Sequence, residues 1–322
     1  MISIFCELNK VIINSDLAIE SGLNIIKNPY EIEEVYCDET RSVIGSIYHD
    51  SLMNKPVLLQ RILLEDGNLH PNEMMLNFRG YSQYFLFAIW LLKDNSINLG
   101  NIILTINKTP LYTNNNPILF SNSQGEYKSV YLTNDEVKEA LIWFELLKPI
   151  FIHNTPSENE EPVSKMVHIY NSKKNIDYYN YNRLQRAVRF VGLARSESFL
   201  PAKITFYISA LECLFSNSNT EVRMQVADRA TRVLSDIFEE RIRINKIISI
   251  AYAFRSNYIH GSVNNQKTIR KSLRPYETIE ELSFELDDIL REVLKRFLTD
   301  LNHVVHMDDA SFNVWISELL YK

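Results

Sequence analysis

Arg255 and His260 are the residues of this chain whose types and spacing best suit proton transfer beside an anion. An imidazole, with an ordinary pKa near ~6.5, can take or give a proton near neutral pH. A guanidinium keeps its positive charge and can bind two oxygens of an anion at once. The segment Arg255-Ser-Asn-Tyr-Ile-His260 is therefore the first candidate for a site that carries out chemistry.

The helix that carries Arg255 should place this residue among apolar side chains. At about 100° per residue, Arg255 lies near the centre of the predicted inward stripe. A guanidinium there needs a partner, because burying an unpaired charge costs several kcal/mol. Glu212, at the edge of the apolar stripe of its own predicted helix, is the candidate partner. The stripe around Arg255 consists of Ile244, Ile247, Ile248, Ala251, Tyr252, Tyr258 and Ile259.

The spacing of Arg255 and His260 also has a purely structural explanation. Arg255 can pair with Glu212 and the last carbonyls of the helix, and His260 can cap a helix end that Gly261 terminates. In an ideal helix an offset of five residues turns the two side chains about 140° apart. A shared site then requires that the last helical turn loosens or that a second subunit contributes.

Longer segments around these residues resemble the HEPN superfamily, and in particular its Apea-like branch. The resemblance covers about residues 180–300, in an all-helical stretch and in the expected helix order. The segment from Arg255 matches the R-x4-H signature of these domains. The residues that carry the resemblance are Ser209-Ala-Leu-Glu-Cys-Leu214, Arg229-Ala230, Ala251-Tyr-Ala-Phe-Arg255 and Arg255-Ser-Asn-Tyr-Ile-His260-Gly261.

The resemblance implies a helical bundle that pairs through a two-fold axis and brings two R-x4-H motifs into one cleft. Many such domains are metal-independent endoribonucleases. By this resemblance His260 is the acid and base, Arg255 holds the scissile phosphate, and Asn257 orients the phosphate or the imidazole. Such cleavage uses the ribose 2′-hydroxyl, so DNA should be spared. The chain departs from the pattern at Ser256, where many active members carry a larger polar residue.

Several further residues are predicted to support this site. Glu212 and Arg229 are expected to be structural supports and not catalysts. The segment 267–274 contains four basic residues and no acid, so it can follow an RNA backbone past the cleft, or it is a solvated loop. These four residues are Lys267, Arg270, Lys271 and Arg274.

The chain as a whole predicts an α+β fold in two domains. Residues 1–155 form a β-rich, mixed N-terminal domain, and residues 165–322 form an all-helical HEPN-like domain. The polar, acidic segment 154–162, bracketed by prolines, is the predicted linker. Strands are predicted over 56–64 and 101–107, helices over 81–93 and 133–148 (opened by a capping box and stopped by Pro149), and further helices near 181–197, 200–216, 221–238, 240–260, 278–302 and 308–321.

Composition narrows the classes of protein that remain. The net charge is −6, yet residues 166–300 carry 21 Lys and Arg against 16 Asp and Glu, a balance that suits a polyanionic partner. Cys6, Cys37 and Cys213 are scattered, so free thiols are expected, with Cys213 in the core. No signal peptide or membrane span is readable, which predicts a cytoplasmic protein without membrane contact. No metal site and no cofactor are predicted.

The resemblance to HEPN domains implies a ribonuclease effector, as in toxin or anti-phage defence systems that contain such domains. Its partners would be RNA, a second copy of the chain bound through the helical domain, and a trigger or regulatory protein at the N-terminal domain. The alternative is a non-catalytic HEPN module for dimerisation or for binding nucleotides or RNA. A toxin controlled by nucleotide modification needs a tyrosine just after the histidine, where this chain has Gly261-Ser-Val263.

Overall fold

A computed structural model describes residues 1–20, 23–63, 71–114, 118–151, 181–218, 220–260 and 273–321. The chain divides into two compact units. The first contains Met1–Glu145 together with Arg195–Ser198, and the second contains Leu146–Ala194 and Phe199–Lys322. The predicted linker over 154–162 lies outside the described residues.

The first unit is built on an antiparallel sheet. Among the described residues its strands follow the order β3-β4-β5-β1-β7-β8, and the short β6 pairs with the end of β1. Strands β2 and β9 form a separate parallel pair. The strands are β1 (Ile2–Asn9), β2 (Val11–Ile12), β3 (Leu17–Glu20), β4 (Leu23–Ile26), β5 (Val57–Ile62), β6 (Asn98–Leu99), β7 (Ile102–Ile106), β8 (Thr109–Asn114) and β9 (Val130–Tyr131).

Strand β1 is the centre of this sheet and is buried on both faces. Every residue from Ile2 to Leu8 is buried, although neighbouring side chains of a strand point to opposite faces. On one side Phe5 packs in a cluster with Tyr36, Leu52 and Leu59. The helices of this part of the chain are α1 (Pro29–Glu33), α2 (Asp38–Ile44), α3 (Ser46–Asn54), α4 (Pro71–Leu92) and α5 (Asn134–Phe151).

A buried carboxyl group fixes the approach of two chain segments in the first unit. The side chain of Glu7 is buried and accepts a hydrogen bond from the Tyr48 hydroxyl, while its backbone carbonyl accepts from the Gly100 N–H at 2.8 Å. A β-carbon at Gly100 would lie 2.0 Å from Cδ of Glu7. A side chain at position 100 would therefore require the buried Glu7 carboxyl to shift. Burial raises the pKa of the Glu7 carboxyl.

The second unit is a bundle of helices whose boundaries follow the predicted pattern closely. Helix α9 packs against α7, α8 and α10. In the interior, the Tyr207 hydroxyl donates to Asp287 at 2.7 Å, and Nε of Arg291 donates to the same carboxylate at 2.9 Å. The helices are α6 (Arg183–Arg195), α7 (Leu200–Phe215), α8 (Val222–Leu234), α9 (Phe238–Ile259), α10 (Ile279–Leu298), α11 (Asn302–Val305) and α12 (Asp309–Tyr321).

The α+β class, with an N-terminal antiparallel sheet and C-terminal helices, is confirmed. The predicted capping box is present at the start of α5, where the Glu136 N–H donates to the Thr133 hydroxyl at 3.1 Å and the Thr133 N–H donates to the Glu136 carboxylate at 2.8 Å. The prediction that Pro149 stops this helix is wrong, because α5 continues to Phe151. A proline in the last turn removes only one intrahelical hydrogen bond. No described helix is long and apolar enough to cross a membrane.

Candidate functional site

Arg255 lies on α9 facing α7, and its guanidinium is held by two residues. Its Nη1 donates to Oε1 of Glu212 at 2.5 Å, and the Tyr252 hydroxyl donates to the same oxygen at 3.0 Å. The Arg255 guanidinium also lies 5.9 Å from the centre of the Tyr252 ring, within the range of a cation–π interaction. Glu212 is thus the partner of Arg255 in the structure, as the sequence predicts.

Only one of the two amino groups of the Arg255 guanidinium takes part in this contact. The side chain is 27% exposed, and its Nη2 makes no hydrogen bond with any described residue. Burial and the nearby Glu212 charge raise the pKa of the Tyr252 hydroxyl, so this group remains a hydrogen-bond donor at neutral pH. One amino group of the guanidinium is anchored while the other remains available to a ligand.

The predicted apolar stripe of α9 ends earlier than expected. Ile244, Ile248 and Tyr252 are buried, but Tyr258 is 46% exposed and Ile259 is 54% exposed. The prediction that these two residues face inward is wrong. The end of α9 passes beyond the core, and Tyr258 packs edge-on against Phe199, itself exposed, with ring centres 5.8 Å apart.

His260 is exposed at the C-terminal end of α9. Its backbone N–H donates to the Ser256 carbonyl at 3.0 Å, so the last turn remains helical up to this residue. The imidazole makes no hydrogen bond or ion pair with the part of the chain that the structure describes. Asn257, within the same turn, is partly exposed. Because the last turn stays helical, the side chains of Arg255 and His260 remain on different faces of α9.

Arg255 borders a cleft of about 620 Å³ in the second unit. The cleft is formed by residues of α6, α7 and α9, by the segment 216–218 that follows α7, and by the first residue of α12. His260 does not belong to its lining. The charged residues of the lining are Arg183, Arg186, Glu212, Arg255 and Asp309.

Cys213 also lines this cleft, so the prediction that it is a core residue is wrong. It lies next to Glu212 on α7, at the edge of the helix's buried face. Burial raises the pKa of the Cys213 thiol to about 11. The thiol is therefore protonated at neutral pH and is a poor nucleophile.

Two arginines stabilise the C-terminal end of α7. Arg229 is buried and donates to the Phe215 carbonyl and, at 3.1 Å, to Gln225. Arg183 donates to the Ser216 carbonyl at 2.8 Å. The last carbonyls of a helix lack intrahelical partners and attract cations. These contacts position Glu212, one turn earlier on the same helix, beside Arg255.

The predicted basic segment is only partly within the described residues. Lys267, Arg270 and Lys271 lie outside them, and Arg274 is exposed just before α10. No group of three or more His, Cys, Asp or Glu among the described residues is arranged to hold a metal ion. Two residues of the cleft lining, Arg183 and Arg186, are not among the site residues predicted from the sequence. Their spacing of three residues, beside the apolar Leu184, Ala187 and Val188, is the pattern that marks two arginines on one helix face.

The comparisons with known proteins add nothing to this geometry. No protein-family model, no curated protein and no solved structure matches the chain.

Proposed function

We propose that this protein is a metal-independent endoribonuclease of the HEPN type, acting as a toxin or anti-phage defence effector. Arg255 neutralises the scissile phosphate, His260 transfers protons, and Asn257 orients one of these groups. The first unit receives the regulatory signal or partner. The R-x4-H resemblance supports the assignment to this class of enzyme, and the surroundings of Arg255 support its role within the site.

The observation that carries the proposal is the position of Arg255 at the wall of the cleft. Its Nη1 is anchored by Glu212, and its Nη2 has no acceptor among the described residues. A guanidinium fixed in this way can meet the charge that develops on phosphate oxygens without reorganising. Removing a preorganised donor of this kind typically lowers kcat about 10²–10³-fold.

We infer that His260 acts in a site made by two copies of the chain. The last turn of α9 is helical, and His260 is exposed and outside the cleft lining. A second copy related by a two-fold axis would supply its imidazole to the Arg255 of the first. This imidazole accepts the proton of the 2′-hydroxyl as the O2′–P bond forms. Once protonated, it gives a proton to the 5′-oxygen as the P–O5′ bond breaks, leaving a cyclic phosphate.

The test is to incubate total cellular RNA with the full chain in EDTA and to map the ends produced. Wild type is expected to leave cyclic phosphate or 3′-phosphate ends, and His260→Ala to cleave about 10²–10⁴-fold more slowly. Arg255→Ala should also be impaired. His303→Ala, which changes another exposed histidine of the same unit, should cleave like wild type. Unchanged cleavage by His260→Ala would refute the proposed role of this residue.

Mixing the two impaired proteins tests whether the site is shared. If Arg255 of one copy works with His260 of the other, a mixed dimer of Arg255→Ala and His260→Ala contains one intact site. Random exchange should then restore about a quarter of the wild-type activity. Restoration would be absent if both residues acted within one chain.

A binding module without catalysis is the second candidate function. The cleft lining contains arginines and no histidine among the described residues, which is sufficient for binding an anion. This function predicts that RNA stays intact in every preparation of folded, dimeric protein, including those given candidate activators. It also predicts that His260→Ala binds RNA like wild type.

A further inference from the structure

The cleft beside Arg255 contains more positive charge than the R-x4-H motif accounts for. Arg183 and Arg186 of α6 line it together with Arg255. The two carboxylates of the lining are Glu212, which is occupied by Arg255, and Asp309, whose side chain is 98% exposed. The positive charge of the cleft is thus only partly compensated.

Arg183 is fixed in place by the protein itself. Besides its hydrogen bond to the Ser216 carbonyl, its guanidinium lies 3.7 Å from the centre of the Phe312 ring and 3.4 Å from a carboxylate oxygen of Asp309. Burial, followed by the neighbouring charge of Arg186, lowers the pKa of Arg183. The two arginines lie one helical turn apart on α6 and line the same cleft, so their like charges are close together.

Arg186, in contrast, has no acidic partner among the residues that the structure describes. Its guanidinium makes no hydrogen bond and no ion pair with the described residues, and its Nε is buried without an acceptor. A partly buried cation beside another cation is unfavourable unless an anion binds there. The Nε of Arg255 is likewise buried without an acceptor. Arg186 on α6 and Arg255 on α9 thus each have a buried N–H group without an acceptor.

We propose that Arg186, with Arg183, forms a subsite that binds an RNA phosphodiester next to the scissile one, which Arg255 holds in the same cleft. This inference rests on the proposed function for the identity of the ligand. Guanidinium groups form paired, charge-assisted hydrogen bonds with phosphate oxygens, which suits a cleft lined by three of them. Arg186 is a substrate-positioning residue, since it lies outside the motif that carries the chemistry.

The experiment measures binding of a short single-stranded RNA whose 2′-oxygens are methylated, so that it cannot be cleaved through them. Full-length wild type and Arg186→Gln are titrated at several salt concentrations. The variant should bind about tenfold more weakly, and the salt dependence of its affinity should be shallower by about 0.7 in log–log slope. Arg186→Lys, which keeps the charge but not the paired donors, should fall between the two.

Arg189→Gln is the matched control. Arg189 lies one turn further along α6, is exposed, is not part of the cleft lining and contacts Tyr181. It should bind the RNA like wild type. Equal weakening by Arg186→Gln and Arg189→Gln would show a diffuse electrostatic effect and overturn the proposal, as would wild-type affinity in Arg186→Gln.

A measurement on the wild-type cleft guards against a folding defect in the variants. Cys213 lines the same cleft, so bound RNA should slow its alkylation by iodoacetamide at least several-fold, and Cys213→Ser identifies the labelled site. Unchanged alkylation at saturating RNA would place the ligand elsewhere and overturn the proposal. Because neither readout needs cleavage, Arg186-dependent binding without cleavage would reject the nuclease and keep the subsite. Cleavage without Arg186-dependent binding would keep the nuclease and reject the subsite.

Discussion

Arg255 and Glu212 form an ion pair across α7 and α9 at 2.5 Å, with the carboxylate 19% exposed and the guanidinium 27% exposed. Glu212 has the structural role in this pair, and Arg255 has the proposed chemical role. Glu212 holds one amino group of the guanidinium, and Tyr252 holds the carboxylate in turn. The orientation of Arg255 in the cleft is therefore set by a residue that need not touch RNA.

Glu212→Gln should weaken both the fold and the proposed cleavage. The change removes the negative charge beside a partly buried guanidinium, and we expect a loss of about 1–2 kcal/mol in the free energy of unfolding. Cleavage of RNA should slow because Arg255 loses its fixed orientation. Urea denaturation and the cleavage assay measure the two effects.

The control for this change is Glu240→Gln. It removes a partly exposed carboxylate that pairs with Arg243 within the same helix, and Arg243 keeps a second partner in Glu285. The expected change in the free energy of unfolding is below about 1 kcal/mol. Equal effects of the two substitutions would contradict the special position of Glu212.

Gly100→Ala should destabilise the first unit. The added methyl group would lie 2.0 Å from the Glu7 carboxyl carbon, which is itself buried in the sheet. We expect a loss of about 1–3 kcal/mol, measured by thermal or urea denaturation, since a packed interior must shift to make room. Adding Glu7→Ala, which vacates the space, should recover part of the loss caused by the clash.

Gly192→Ala is the matched control for Gly100→Ala. Gly192 lies within α6, and its added methyl group meets no atom within 4 Å. Alanine is favoured over glycine in a helix by up to about 1 kcal/mol, so this variant should be at least as stable as wild type. A loss of stability at both positions would point to a general cost of replacing glycine and not to the contact with Glu7.

Tyr207→Phe should lower the free energy of unfolding by about 1–3 kcal/mol, because a buried carboxylate loses a hydrogen bond. The donor and the Asp287 acceptor are both fully buried, 2.7 Å apart, and they connect α7 to α10. Urea denaturation measures the loss. Tyr321→Phe removes a hydroxyl from a residue that is 93% exposed, and its stability should stay within about 0.5 kcal/mol of wild type.

The thiol of Cys213 should react slowly and with an unusual pH dependence. Its pKa is about 11, above the ordinary value of 9.0. Alkylation by iodoacetamide should thus keep rising towards pH 11, where an unburied thiol would already have levelled off. A plateau near pH 9 would contradict the burial that raises the pKa.

The raised pKa of Cys213 also determines how the free energy of unfolding changes with pH. Because the pKa of Cys213 is higher in the folded chain, its proton contributes stability that is complete below pH 9 and lost as the pH rises towards 11. Cys213→Ser removes this titrating group. Urea denaturation at pH 8 and pH 10.5 should therefore show a smaller alkaline loss in the variant than in wild type.

The helices of the second unit could be predicted because their apolar residues recur at helical spacing over long stretches. The strand β1 could not, because all its residues from Ile2 to Leu8 are buried and no alternation marks a strand. Similarly, α4 begins at Pro71, ten residues before the predicted start, where its sequence is more polar. The sequence pattern predicts an element poorly when both of its faces are buried, as in β1, or when its first turns are polar, as in α4.

In the candidate site, too, some contacts could be predicted from the sequence and others could not. The pairing of Arg255 with Glu212 could be inferred because an inward charge requires a partner. The contribution of Arg186 could not, since nothing in one helix reveals that a cleft lies beside it. The apolar pattern of α9 continues to Tyr258 and Ile259, past the point where the core stops, so the predicted inward stripe is too long.

Residues Arg195–Ser198 belong to the first unit, although the segments on both sides of them belong to the second. Arg195 is 1% exposed and donates to Asn95 at 3.2 Å, with its guanidinium 4.5 Å from the centre of the Phe120 ring. The two units are thus interleaved along the chain. A fragment obtained by a single cut before α6 would keep Arg195 but lose Asn95 and Phe120. During synthesis, the first unit likewise stays incomplete until the ribosome has passed residue 198.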